Sequence, residues 1–405
     1  MLRKSMTQKE EIPRQQLVPR LLKMELPPGQ SAFLWGPRKT GKSTFLAQRF
    51  PDSAVFDLLD TDLYFDLSKR PALLRELVLA LPPGQLNKPI VVDEAQKVPR
   101  LLDEVHGLIE KRGLSFVLCG SSARKLVRGG ANLLGGRAWR FEMHPFVTAE
   151  LGEWRILDVL ERGLVPSHYL DADPARSLAA YCHDYMREEI FAEGLVRNLP
   201  AFSRFVDAAA FSHGELVNYS NVARECGVDG KTVKEYFQIL VDTLFCRLVP
   251  PYKARQERQV ITKAPKLYLF DVGVAGALVK RRVAEEKGEQ FGRALEHLVL
   301  TELTAHASYS GLGYDVSFWR TKTGLEVDFV LGRGEVAIEV KGSSRVDDRD
   351  LRGLRAFAAQ HSPRRSIVVC NEKRPRIAGD VLMLPYREFF GRLWAGGIAP
   401  ASSEE

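Results

Sequence analysis

Two sets of residues in this 405-residue chain have types and spacing suited to chemistry. The first is GPRKTGKS, Gly36 to Ser43, which fits G-x-x-x-x-G-K-[ST] at every fixed position. A glycine-rich turn running into a helix start presents backbone N–H groups to phosphate, Lys42 would reach the β and γ phosphates, and Ser43 would offer a hydroxyl to Mg²⁺. Gly36, Pro37, Arg38, Lys39, Thr40, Gly41, Lys42, Ser43 and Thr44 are therefore the expected nucleotide-binding residues, with ATP and Mg²⁺ as cofactors. In IVVDEAQ, Asp93 and Glu94 close a buried apolar run, where adjacent acids are costly unless they face a cation or a reacting water. Asp93 is assigned to the Mg²⁺ shell and Glu94 to the attacking water; the plainer reading is a pair of helix-capping acids. A third run, SFVLCGSS, ends in Ser121 and Ser122, placed to sense the γ phosphate, although serine after a strand is also ordinary turn chemistry. Arg137, and after it Arg124, are candidates for an arginine finger on a neighbouring subunit's nucleotide, with a solvated surface role as the alternative for each.

The second set is EVDFVLGRGEVAIEVK, in which Asp328 stands eleven residues before Glu339, and Lys341 follows two later, across the turn Gly332-Arg333-Gly334. With a two-residue period, Glu326, Asp328 and Val330 are expected on one strand face and Glu339 and Lys341 on one face of the next. Antiparallel pairing would bring these faces together: carboxylates to hold Mg²⁺, and a lysine to position or activate water for attack on a phosphodiester. Glu296, on the helical stretch FGRALEHLVLTEL, is a candidate for a further ligand. His297 and His306 lie nearby without metal spacing and read as core or surface residues. The plainer reading of the whole set is charge alternating on an exposed strand.

The elements that must position these groups follow from the pattern. From Ser31 to about Glu150, short apolar runs alternate with amphipathic stretches such as PALLRELVLAL, which predicts a parallel sheet wrapped by helices. Residues 1–150 are assigned to this ATPase core and 151–200 to a helical lid or connector. In 201–275 the segment NYSNVARECGVDGKTVKEYFQIL reads as helix, turn, helix, with Gly227 in the turn, Asp229 as the cap, and Val233, Phe237 and Leu240 turned to a core. Lys231, Thr232 and Lys234 are left for solvent or a groove, and Lys253, Arg255, Arg258, Lys263 and Lys266 follow on a basic stretch with one acid, Glu257. A basic hairpin beside a helix-turn-helix suits phosphate contact, and packing against protein is the alternative. Residues 285–395 carry the second chemical set.

The series FLWGPRKTGKST, IVVDEAQ, FVLCGSSARKL and GGRAWRFEMHPF resembles a prokaryotic branch of AAA+ ATPases with a fused C-terminal domain of unknown function. The later phrases KAPKLYLFDVGV and EVDFVL...IEVK resemble the same family, so the likeness spans nearly the whole chain. It implies an ATP-driven, oligomeric machine, a hexameric ring being one form. The carboxylate and lysine spacing resembles the restriction-endonuclease-like PD-(D/E)XK fold, with Val327 where that pattern has proline. The expected fold is thus α/β: a P-loop AAA+ ATPase domain with a helical lid, a winged-helix domain, and a restriction-endonuclease-like α/β domain.

Composition bounds the partners. A net charge of +7 favours an anionic partner, with nucleic acid the commonest for a protein of this size. The five cysteines are scattered without a CxxC pair, which points away from disulfides and zinc and toward the cytoplasm. No run approaches the roughly 18 apolar residues a membrane span needs. The expectation is a DNA-remodelling or translocating ATPase, branched DNA such as a four-way junction included, with an associated Mg²⁺ nuclease. The alternative is an ATP-controlled switch whose tail binds DNA or a protein partner without cutting.

Overall fold

The computed structural model describes residues 17–121, 134–182, 198–254 and 264–400. Its first part holds β1 (Ser31–Trp35), β2 (Val55–Asp57), β3 (Ile90–Asp93), β4 (Phe116–Gly120) and β5 (Ala138–Glu142). They form one all-parallel sheet in the order β2-β3-β4-β1-β5. Every residue of β1 is buried: Phe33 and Trp35 enter one core while Ala32 and Leu34 enter the other. That two-residue split needs cover on both faces, which a parallel sheet obtains from its crossover helices. Leu101–Arg112 seals the first core with Leu102, Val105 and Leu108, and Lys42–Arg49 closes the second with Phe45 and Leu46. Because all strands run the same way, the carboxyl ends of β1, β3 and β4 lie along one edge, where ligands of such sheets bind.

The middle part contains helices Leu199–Phe211, Tyr219–Cys226 and Gly230–Asp242, then the antiparallel pair β6 (Cys246–Val249) and β7 (Lys266–Leu269). The expected cap is present: the Asp229 carboxylate accepts from Lys231 N at 2.8 Å and Thr232 N at 2.9 Å. Gly227 takes φ 67 at the preceding helix end, a conformation with little steric cost only for glycine. Val233, Phe237 and Leu240 are buried.

The C-terminal part begins with helix Gly288–Tyr309 and continues through β8 (Val316–Arg320), β9 (Glu326–Leu331), β10 (Val336–Lys341), helix Arg352–His361, β11 (Arg365–Cys370), β12 (Arg376–Ala378), β13 (Val381–Pro385) and helix Tyr386–Trp394. The sheet order is β12-β13-β11-β10-β9-β8, with β8, β9 and β10 a meander and β11 parallel to β10. Leu295, Leu298 and Phe389 pack with Phe329 and Ile338 on one face, and Leu354 and Phe357 pack with Val327 and Ala337 on the other. The first helix of the expected lid, Ile156–Arg162, does not stand apart: Ile156, Val159 and Leu160 join the core of this C-terminal sheet. Its amphipathic pattern was legible, but the partner face came from residues more than a hundred positions away.

The long helix also carries Glu302, fully buried, which accepts hydrogen bonds from Thr148 N (2.7 Å) and Trp394 Nε1 (2.6 Å). Burial pushes its carboxyl from 4.5 up to about 7. The folded chain therefore keeps a proton that the unfolded chain releases between those values, so this stability is full below 4.5 and is lost as pH rises toward 7. Thermal melts across that window are expected to fall with pH by at most about 1.4 kcal/mol per unit from this group. In Glu302→Gln the slope should flatten; an unchanged slope would remove Glu302 as its source. Among the described residues no helix is long and apolar enough to cross a membrane.

Candidate functional site

The loop after β1 turns sharply, with Lys39 at φ 63 and Gly41 at φ 90, before helix Lys42–Arg49 begins. Successive N–H groups in such a turn converge on a concavity suited to anions. Thr40 braces it by donating to Pro37 O at 2.8 Å. The Lys42 ammonium, 6% exposed, donates to Gly36 O at 2.8 Å and Pro37 O at 2.9 Å, so it is parked on the loop's own carbonyls beside the concavity. Ser43 Oγ donates to Asp93 Oδ2 at 2.5 Å. Hydroxyl and carboxylate at that spacing are hard oxygen donors of the kind that hold Mg²⁺, and the two would share it with phosphate oxygens.

Glu94 follows in the left-handed region at φ 56, its N–H bonded to Asp93 Oδ1 at 2.9 Å. Burial raises its carboxyl above the usual value, while Lys42 pulls it down. Gln96 ties the edge together: its Nε2 donates to Glu94 Oε2 at 2.5 Å and to Ser121 Oγ at 3.1 Å. The sequence reading missed Gln96, although it stands three residues after Asp93 in the same phrase. Ser121 is fully buried at the end of β4. Ser122 and Arg124 lie outside the described residues. Arg137 precedes β5, whose first residue Ala138 pairs with Ser31 at the start of β1, and its guanidinium pairs with Glu110. It therefore sits at the end of the sheet away from its own nucleotide loop.

Arg20, which no motif flagged, joins this loop to the rest of the chain. Its guanidinium bonds Thr40 O (2.7 Å), His144 O (2.6 Å) and Tyr309 Oη (3.4 Å), and pairs with the Glu150 carboxylate at 3.0 Å. Tyr309 belongs to the long C-terminal helix, so one side chain spans both chemical regions. Arg20→Ala would strand the wholly buried Glu150 carboxylate, and a loss of about 3–5 kcal/mol in stability is expected in chemical denaturation.

The second set also assembles. The last pairing of β9 with β10 joins Phe329 to Ile338, and one step beyond it Asp328 comes opposite Glu339. Asp328 Oδ2 accepts Val340 N at 2.8 Å, and Lys341 Nζ donates to Glu339 Oε1 at 2.6 Å. Glu339 Oε2 is buried without a hydrogen-bond partner. The expectation that Glu326, Asp328 and Val330 share a face is corrected. Ser317 pairs with Val330 but Trp319 with Val327, so β9 carries an extra residue, and Val327 and Val330 enter the same core. Such a bulge breaks strict alternation and re-aims the side chains beside it. Gly353 lets the next helix come down on this strand, since a Cβ there would stand 1.9 Å from Glu326 O.

Glu296 reaches the same cleft, and burial, followed by the nearby Asp328, raises its carboxyl to about 7. Burial likewise raises Asp328 and Glu339. Lys266 departs from expectation. Read as part of a phosphate-contacting stretch, it is 5% exposed, with Nζ 3.5 Å from Glu296 Oε1, 3.9 Å from Asp328 Oδ1, and paired with Glu326. Tyr268, two residues on, donates its hydroxyl to Glu296. The phrase KLYL, which Lys266 opens, gave no sign of its acidic partners, which lie on other elements. The cleft has a volume of about 840 Å³, and Arg281, Arg282, Arg293, Arg320, Arg349 and Arg352 are among its lining. Asp328 and Glu339 suit a hard cation, yet among the described residues no three of His, Cys, Asp and Glu converge on one metal position.

Of the expected nucleic-acid contacts, Lys231, Lys234 and Lys253 are exposed. Thr232 is half-buried, with its hydroxyl on Asp229 Oδ2 at 2.8 Å. Arg255, Arg258 and Lys263 lie outside the described residues. All five cysteines are free and buried.

Family models match the chain in three successive stretches: an AAA domain over residues 29–152, a domain of unknown function (DUF8612) over 153–285, and another (DUF4143) over 291–389. The chain thus joins a region that matches an AAA domain to two successive regions that match domains of unknown function. No curated protein sequence matches it. Among solved structures, the Aeropyrum pernix ORC1 protein in complex with DNA is similar at 15% identity, over 63% of this chain and 87% of that one, with a TM-score of 0.25. A signal-transduction ATPase with numerous domains and a tetratricopeptide repeat sensor, from Pyrococcus horikoshii, is similar at 10% identity, over 69% of this chain and 45% of that one, with a TM-score of 0.19.

Proposed function

We propose that this protein is an ATP-hydrolysing, DNA-processing enzyme whose nucleotide cycle remodels or moves DNA, and whose C-terminal cleft cuts phosphodiesters. The observation that carries this reading is the meeting of Asp328, Glu339 and Lys341 in an arginine-lined cleft, on the same chain as a complete phosphate loop. Cations along the cleft would hold the phosphates, the two acids would hold Mg²⁺, and Lys341 would position or activate the attacking water. Bound there, Mg²⁺ would supply charge neutralisation for a departing oxygen. In the ATPase domain, Glu94, held by Gln96, orients water toward the γ phosphate, and Arg137 acts on the nucleotide of an adjoining copy in an oligomer.

Helix-turn-helix geometry followed by an antiparallel pair supports a winged helix in the middle, with Lys231, Lys234 and Lys253 toward DNA. The helix, meander, helix and parallel strand of residues 288–370 support a restriction-endonuclease-like fold. A second reading, an ATP-controlled switch that grips a partner without cutting, is favoured by Lys266, whose ammonium already sits among the acids. Labelled duplex, forked and four-way-junction DNA, incubated with Mg²⁺ with and without ATP, separates the two. Cut or rearranged strands with DNA-stimulated ATP turnover are expected. DNA left unchanged, with negligible turnover, would transfer the chain to the switch.

A further inference from the structure

The carboxylate cleft is built from more than the C-terminal sheet. Lys266 reaches it from β7, a strand paired with β6 in the middle part. Its backbone is fixed on both sides: Leu267 and Leu269 lie in the helical core with Phe237 and Leu240, while Tyr268 lies in the core of the C-terminal sheet with Phe329. Tyr268 donates its hydroxyl to Glu296, the same acid that Lys266 approaches to 3.5 Å. The ammonium also lies 5.6 Å over the Phe318 ring, which shields it from water on that side. To leave, it would have to abandon three carboxylates for an apolar wall.

We propose that Lys266 is a permanent cation of this cleft, standing where a second divalent ion would otherwise sit, so that the cleft takes a single divalent cation on Asp328 and Glu339. Four carboxylates, Glu296, Glu326, Asp328 and Glu339, meet three side-chain cations: Lys266, Lys341, and Arg320 at 3.4 Å from Glu326. The buried, unpartnered Glu339 Oε2 is an oxygen available to another cation. Lys266 takes up the remaining acids, so a lysine from outside the sheet completes the site and limits it to one ion. In two-metal sites one ion serves each oxygen of the displacement; here the ammonium takes one of those places. This inference rests on the reading of the cleft as a cation-dependent phosphodiester site.

The test counts Mn²⁺ on the full chain by calorimetry, comparing wild type with Asp328→Asn so that ions bound at the ATPase domain cancel. A difference of one ion is expected. Two ions lost in Asp328→Asn would overturn the role of Lys266 while leaving the phosphodiester reading intact. No ion lost would sink both. One bound ion with no DNA cut would sink the phosphodiester reading alone. In Lys266→Met, removal of a charge beside the bound ion is expected to tighten Mn²⁺ by about tenfold or more, or to admit a second ion. Unchanged or weaker binding in a folded variant would overturn the proposal, and the wild-type count decides it should that variant not fold.

Discussion

Lys42→Ala is expected to lower ATP turnover by about a hundredfold or more, the scale on which one preorganised charge-stabilising donor acts. The ammonium is almost fully buried and rests on two loop carbonyls, Gly36 O and Pro37 O, within one short swing of the phosphate concavity. Alanine removes the only formal positive charge that the motif places on the β and γ oxygens and leaves two carbonyls facing the space where phosphate would come. Glu94→Gln should separate binding from turnover, because the amide keeps a carbonyl for Gln96 yet no longer draws a proton from water. Phosphate release and nucleotide affinity, measured together, check both. Full turnover in Lys42→Ala would end the assignment of the phosphate loop.

Asp328→Asn is expected to abolish Mg²⁺-dependent cutting while ATP turnover stays within about twofold. Asparagine has the shape to keep the bond to Val340 N, now 2.8 Å, so the strand should hold its place. What disappears is the charge that, with Glu339, would bind the cation, and loss of the cation removes the neutralisation on which phosphodiester cleavage depends. The variant also relieves crowding among buried acids, so its melting temperature should not fall. Strand breaks persisting in Asp328→Asn at the wild-type rate would move the chemistry elsewhere. ATP-driven strand rearrangement surviving in a variant that no longer cuts would identify a motor whose tail has a separable role.

The phosphate loop was the most legible feature because its chemistry is local. Gly36 to Ser43 and the acids of IVVDEAQ are short phrases in which backbone turns, a helix start and a strand end fix the geometry of their own side chains. The cap at Asp229 and the buried Val233, Phe237 and Leu240 were readable for the same reason, since capping and helical spacing act within a few residues. The bulge in β9 was not readable. Its phrase EVDFVL alternates over the first four residues like a regular strand, and the extra residue shows only in the pairing against β8.

The sequence by itself determined which groups are available and which of them are close along the chain: Lys42 with Ser43, Asp93 with Glu94, Glu339 with Lys341. It also determined the parallel sheet of the ATPase part, because alternating apolar runs and amphipathic stretches can bury their faces in few other ways. The tertiary structure decided what meets across distance. It brought Arg20 onto Thr40 and Tyr309, and seated Ile156–Arg162 in the core of a sheet formed far downstream. Lys266 marks the difference most sharply. Its neighbours in sequence are basic and apolar, and its neighbours in space are three carboxylates from a helix and a strand, Glu296, Glu326 and Asp328. A charge is given by its residue type, but the field it sits in is summed over every group the fold brings within a few ångströms, and that sum exists only once the chain is packed.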